Sequence, residues 1–253
     1  MSAGPRPHER EQRRQYIEAI GARLREAFGA EVVSVALYGS AARGTDGPYS
    51  DIEMICVVRD GDERDITWAH EGWKAEVWLV SRTGFLHEAA RLGPEWSLTH
   101  GAFVDAVPLY DPDRLCGRGR DLALGHSPED FDGVMRELIV GHLYERIGKL
   151  RTLRNTGDLS AVPLVAAKIC EAALCLIGLA SRHLYASIAT RLTDSLALAD
   201  RPGGYDALAQ LLIAGTLSDA NVVTRACETL WSGIEEWAER RHLPIEEHAP
   251  TPF

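Results

Sequence analysis

The stretch LYGSAARGTDGPYSDIEMICVV, Leu37 to Val58, restricts the fold more than any other part of the chain. Two apolar runs, Val32–Tyr38 and Asp51–Val58, read as strands. Between them lie a Gly-Ser, a short helical piece ending near Gly44 and the turn residues Asp46-Gly47-Pro48. The second strand carries Asp51 and Glu53. In a strand, residues i and i+2 share a face, so these carboxylates project together while Ile52 and Met54 point the other way. Burying carboxylates is costly unless a cation pairs with them.

A third apolar run, Trp73–Val80, puts Lys74, Glu76 and Trp78 on one face. If this strand neighbours the second, Asp51, Glu53 and Glu76 converge on one spot. Three carboxylates with one lysine repel unless further cations sit among them. Oxygen-only ligation selects Mg²⁺ or Mn²⁺ over zinc. Carboxylates that bridge two ions ~4 Å apart suit in-line phosphoryl or nucleotidyl transfer. Gly39-Ser40, where a strand turns into a helix, offers backbone N–H groups and a hydroxyl to a phosphate, with Arg43 one turn on as a second donor. Alone, a Gly-Ser is a common turn and Asp-x-Glu a solvated strand face. The specific signal is the combination, with ten residues between Ser40 and Asp51.

The rest of the front half reads as an amphipathic helix over 8–28, with Tyr16, Ile17, Ile20, Leu24 and Phe28 at helical spacing. It continues with a charged turn at Arg59–Arg64, a helix over 83–92 and a short extended piece between Pro108 and Asp113. Gly125–Pro128 reads as a boundary, which gives domains 1–126 and 127–253. Beyond it the pattern is all-helical. Met135, Leu138, Ile139, Leu143, Ile147 and Leu150 form one stripe over 128–155. Pro163–Tyr185 is an apolar helix suited to a bundle centre or an interface. At least two more helices follow, the last over 219–240 with Trp231, Ile234 and Trp237 on one face. Trp231 and Trp237 read as core or dimer packing, and His100 as a structural hydrogen-bonder.

The 253 residues suffice for one large or two modest domains. A net charge of -10 disfavours a nucleic-acid partner, which needs a basic face, and suits a cationic substrate as well as plain solubility. The N-terminal MSAGPRPHEREQRR has no apolar core of a secretory signal, and no uncharged apolar window reaches membrane length. Cys56, Cys116, Cys170, Cys175 and Cys227 have no metal or redox spacing and read as reduced thiols in a cytoplasmic protein.

The segment LYGSAARGTDGPYSDIEM resembles the nucleotidyltransferase signature of the DNA polymerase beta superfamily. More closely, it resembles the aminoglycoside 4'-O-nucleotidyltransferases of the kanamycin nucleotidyltransferase type. WKAEV, WSLTHG, LIVGHLYERIGKLRTLR, Pro202-Gly203-Gly204-Tyr205-Asp206, GTLSD and WSGIEEWAER are similar to further segments of that family, so the likeness runs from about residue 35 onward. It implies an α+β fold, with an N-terminal polymerase beta-like mixed sheet with helices and a C-terminal helical bundle. The implied reaction moves AMP from Mg-ATP to the 4'-hydroxyl of an aminoglycoside and releases pyrophosphate.

By this resemblance, Asp51, Glu53 and Glu76 hold two Mg²⁺ ions, and Gly39, Ser40, Arg43 and Lys149 hold the nucleotide. Lys74 lies beside the acidic cluster and Glu145 is the general base. On a helix Glu145 and Lys149 are i and i+4, on the side away from the apolar stripe, where a plain surface ion pair is the alternative. Glu71 and Glu95 fall in segments the family uses around the antibiotic, and otherwise read as solvated loop acids. Lys74, Glu76 and Glu145 complete the implied substrate contacts. The family also implies a homodimer with sites shared across its interface, to which the apolar helix at 163–185 adds support. Two departures stand out. Gly141 and His142 occupy positions where the family pattern has acids, and the segment between Val58 and Trp73 is shorter or differently built. Two other readings stay open: a related transferase acting on a protein or other hydroxyl, and a non-catalytic nucleotide-binding module.

Overall fold

The computed structural model describes residues 4–61 and 63–246. Met1–Ala3 of the leading stretch, Asp62 of the charged turn and residues 247–253 lie outside them. The elements in chain order are α1 (Arg10–Phe28), β1 (Val32–Tyr38), α2 (Gly39–Arg43), β2 (Ile52–Val58), β3 (Arg64–His70), β4 (Trp73–Ser81) and α3 (Arg82–Ala89). The turns α4 (Trp96–Thr99) and α5 (Gly101–Val104), then β5 (Val107–Tyr110) and α6 (Leu115–Leu124) follow. The remainder is helical: α7 (Pro128–Leu138), a π-turn (Ile139–Leu143), α8 (Tyr144–Thr156), α9 (Val162–Ala180), α10 (Arg191–Ala197), α11 (Tyr205–Ile213) and α12 (Ala220–Arg240). The chain divides into two compact units. One runs to Arg91 and resumes over Thr99–His126; the other comprises Leu92–Leu98 and the chain from Ser127 onward.

The first unit is built on a five-stranded sheet of order β3-β4-β2-β1-β5. Only the β2–β4 pair is parallel. β1 and β2 read as unbroken apolar runs because both faces of the sheet are covered. Leu37, Ile52, Met54 and Val77 pack on the side of α1 with Ile17 and Leu24. Val33, Ile55, Val57 and Val80 pack on the other side with Phe85, Phe103 and Leu115.

From the sequence, 59–64 reads as a charged turn with no strand before Trp73; the structure adds β3. Ile66 and Trp68 alternate with exposed residues there, the pattern of an edge strand that buries one face. β3 turns into β4 through Glu71-Gly72, both at positive φ (48° and 88°), the left-handed pair of a two-residue hairpin.

The second unit packs α7, α8, α11 and α12 about the apolar α9, together with Trp96. Expected as one helix, 128–155 instead carries the π-turn. The wider turn sets Leu138 and Leu143, five residues apart, both inward, so the buried stripe continues through Ile147 and Leu150. α9 ends at Ala180, short of the expected Tyr185, because Arg182 enters the left-handed region (φ 48°) and the His183 N–H turns back to the Gly178 carbonyl at 2.8 Å. By length and composition α9 alone among the described helices could cross a membrane, yet Ile169 to Leu179 are almost all buried inside this unit. The apolar face of α9 is thus spent in its own core, and the support for a dimer that the sequence drew from it falls away. The five cysteines are buried free thiols.

Candidate active site

The register of the sheet brings the sequence-identified carboxylates together. Glu53 is the direct partner of Glu76 across the parallel β2–β4 pair, and Tyr38 the partner of Glu53 across β1–β2. The condition set by the sequence, that the strand of Glu53 and the strand of Glu76 be neighbours, is met. Lys74 donates to Glu76 Oε2 at 2.7 Å and to Asp51 Oδ2 at 3.1 Å. The Tyr38 hydroxyl donates to Glu76 Oε1 at 3.0 Å. Burial first, then the Asp51 and Glu76 charges, raise the Glu53 carboxyl above its ordinary pKa. The hydrogen bond to Glu76 does most to hold the Lys74 ammonium protonated to higher pH.

Gly39 sits over this cluster at φ 72°, and a Cβ there would overlap a Glu53 carboxylate oxygen. Only glycine allows the strand to turn into α2 with Glu53 beneath it. Ser40 follows in the first turn, and its carbonyl accepts the Thr45 N–H at 3.0 Å. Arg43 ends α2 and pairs with Asp105 at 3.2 Å. The loop leading to Asp51 is held from α1. Arg13, 3% exposed, pairs with Asp46 and donates to the Gly47 and Pro48 carbonyls at 2.8 and 3.2 Å. Glu71 is exposed at the hairpin tip, but it lines a cavity of about 470 Å³ whose wall includes Asp51 and Lys74.

Glu145 and Lys149 stand in the helical unit, on the exposed face of α8, as an ion pair at 2.5 Å. The hydrogen bond from Lys149 holds the Glu145 carboxyl below its ordinary pKa. Gly141 and His142 lie in the π-turn one turn before it. Glu95 is exposed beside buried Trp96. His100 is buried, with Nδ1 3.0 Å from Thr99 Oγ1, in keeping with a structural role. Trp231 and Trp237 are core residues, and Trp237 Nε1 donates to Asp200 at 2.7 Å.

Tyr38, Arg13 and Asp105 were not among the residues singled out from the sequence. Their partners are set by strand pairing or by contacts more than thirty residues away, which no local spacing reports.

Among the described residues, no three carboxylate, imidazole or thiol groups stand in ion-holding geometry as placed. The donor chemistry nonetheless fits a hard divalent cation. Three carboxylates stand near one lysine, which bonds two of them, Asp51 and Glu76, and leaves Glu53 without its ammonium.

A nucleotidyltransferase domain matches residues 17–90, and a KNTase C-terminal domain matches residues 114–244. The chain is 35% identical over 251 residues to an aminoglycoside nucleotidyltransferase (4') of Staphylococcus aureus and equally to one of a Bacillus species, with 99% of each chain covered. In fold it is similar to a nucleotidyltransferase-like protein from Exiguobacterium sibiricum: TM-score 0.56 and 10% identity, over 94% of this chain and 82% of that one. The α+β architecture expected from the sequence is the one observed. An acidic row across paired strands, a Gly-Ser turn above it and full-length similarity lead to one conclusion: the chain is an enzyme of the aminoglycoside nucleotidyltransferase (4') family.

Proposed function

We propose that the enzyme transfers AMP from Mg-ATP to the 4'-hydroxyl of an aminoglycoside, releasing pyrophosphate and inactivating the antibiotic. The observation that carries the reading is the row of Glu53 and Glu76 with Asp51 and Lys74 under the Gly39 turn. Asp51, Glu53 and Glu76 hold the magnesium, which when bound neutralises the triphosphate and sharpens the electrophilicity of the α-phosphorus. Ser40, Arg43 and Lys149 hold phosphate oxygens. Glu145 takes the proton of the 4'-hydroxyl. Ionised down to low pH beside Lys149, it is competent as a base over the physiological range. The freed oxygen attacks in line, the O4'–phosphorus bond forms, and the bond to the bridging oxygen breaks with pyrophosphate as leaving group.

Glu71 and Glu95 meet ammonium groups of the polycationic substrate, which a chain of net charge -10 also attracts at long range. The enzyme works in the cytoplasm, and the homodimer stays part of the proposal on the family resemblance alone.

The test is pyrophosphate release from Mg-ATP with tobramycin or amikacin, wild type beside Glu145→Gln. Turnover that collapses in the variant supports both reaction and base. Turnover unchanged in the variant removes Glu145 from its role. No turnover by metal-loaded wild type on any 4'-hydroxy aminoglycoside overturns the substrate assignment.

A further inference from the structure

Tyr38 has no part in the chemistry above, yet its hydroxyl reaches one of the central carboxylates. β2 lies between β1 and β4, so Tyr38 and Glu76 stand two strand spacings apart, about 9–10 Å. The phenol spans that gap across Glu53 and donates to Glu76 Oε1 at 3.0 Å. Glu76 Oε2 is taken by Lys74 at 2.7 Å. The two donors differ in kind. Lys74 is charged, 47% exposed at its side chain, and already shared with Asp51. Tyr38 is neutral and half-buried on the last residue of a central strand. A divalent cation at Glu76 Oε2 would repel the ammonium but not the neutral phenol.

We propose that Tyr38 is a positioning residue of the transferase: it holds Glu76 by Oε1 so that Oε2, the oxygen Lys74 covers, is presented to a divalent cation. This rests on the reading of the site given above. A neutral donor suits the task, because it fixes the carboxylate without competing for the position the cation takes. Carboxylates that ligate metals are held by such outer hydrogen bonds, and losing one costs about 10- to 100-fold in metal affinity or activity.

The experiment is a Mn²⁺ titration of the full chain followed by the EPR signal of free Mn²⁺, wild type beside Tyr38→Phe. Thermal unfolding of both is recorded in EDTA. The ring and its packing survive in Phe, so only the donor is lost. We expect Mn²⁺ affinity to fall about 10-fold, with the unfolding midpoint in EDTA unchanged. Affinity within about twofold of wild type overturns the role. So does a loss of affinity accompanied by a fallen midpoint in EDTA, which marks Tyr38 as merely structural. Failure of the wider reading looks different. A wild type that binds Mn²⁺ through a Tyr38-dependent site but turns over no aminoglycoside strikes the substrate and spares Tyr38. A wild type that binds no Mn²⁺ overturns both.

Discussion

The sheet unit and the helical unit each present candidate catalytic acids, and the two groups are held by opposite means. Glu53 and Glu76 sit where strand register puts them, with Asp51 one residue ahead of β2, all partly buried, under a glycine that admits no substitute, with Lys74 and Tyr38 fixing Glu76 from both sides. Burial first, and their crowding after it, push Glu53 toward the neutral form. Glu145 stands on an exposed helix face with one lysine for company, and that lysine favours its charge. A preorganised row of like charges stores repulsion that a bound divalent cation relieves, whereas an exposed ion pair stores little and keeps its carboxylate ionised. The first arrangement suits a site for metal and triphosphate, and the second suits proton removal.

The difference predicts an order of damage. Glu53→Gln removes a charge from the row and, in the proposed reaction, a metal oxygen with it, and kcat is expected to fall by roughly 10⁴ or more. Glu145→Gln leaves nucleotide binding intact and costs the contribution of a general base, roughly 10²- to 10⁴-fold in kcat. Steady-state pyrophosphate release on both variants, run side by side, checks the order. A Glu145 variant worse than the Glu53 variant breaks the comparison. Nucleotide KM sharpens it, since it is expected to move with Glu53 and to stay with Glu145.

Much of the sheet site was legible because its information is local. Alternation placed Asp51 with Glu53 and Lys74 with Glu76, and two apolar runs long enough to be buried strands made their pairing plausible before it was observed. β3 escaped because an edge strand buries one face only, and its charged flank reads as a turn. The π-turn escaped because its apolar stripe keeps helical spacing on both sides of one five-residue step. Tyr38 and Arg13 escaped for a different reason: their hydrogen bonds join residues 38 and 33–35 positions apart, distances over which sequence carries no geometry. The family resemblance supplied Glu145, whose surroundings alone do not distinguish it from an ordinary surface ion pair.

Arg13 offers a way to sharpen the comparison through stability. Its guanidinium and the Asp46 carboxylate are both nearly buried, at 4% and 9% side-chain exposure. It also satisfies the Gly47 and Pro48 carbonyls just ahead of Asp51. Arg13→Met leaves Asp46 with the exposed Arg10, 3.5 Å away, as its remaining ion-pair partner. Breaking a buried pair from one side costs about 3–5 kcal/mol, and Arg10 keeps the loss here near about 3. Urea unfolding reads it as a lowered midpoint with unchanged slope. Lys149→Met, cut from the exposed pair, is expected to leave that midpoint where it was. Equal losses in the two variants erase the contrast between a braced site and an open one.

The smallest effect is a displacement of the acid limb in the rate profile. In the proposed reaction Glu145 takes a proton only when ionised, so kcat/KM is expected to fall as pH drops through its pKa. Lys149 holds that pKa below the ordinary carboxylate value. The wild-type limb is therefore expected below the ordinary carboxylate range, and Lys149→Met moves it up toward that range. The sign is fixed: removing a cation that stabilises the charged form makes protonation easier, so activity is lost at a higher pH on the way down. Lys149 also holds phosphate in the proposed reaction, so the plateau falls as well. The position of the limb is independent of the plateau height and isolates the effect on Glu145. A limb that stays put assigns the low-pH loss to another group, for which Glu53, raised by burial and its acidic neighbours, is the first candidate. It would also leave Lys149 acting on phosphate alone.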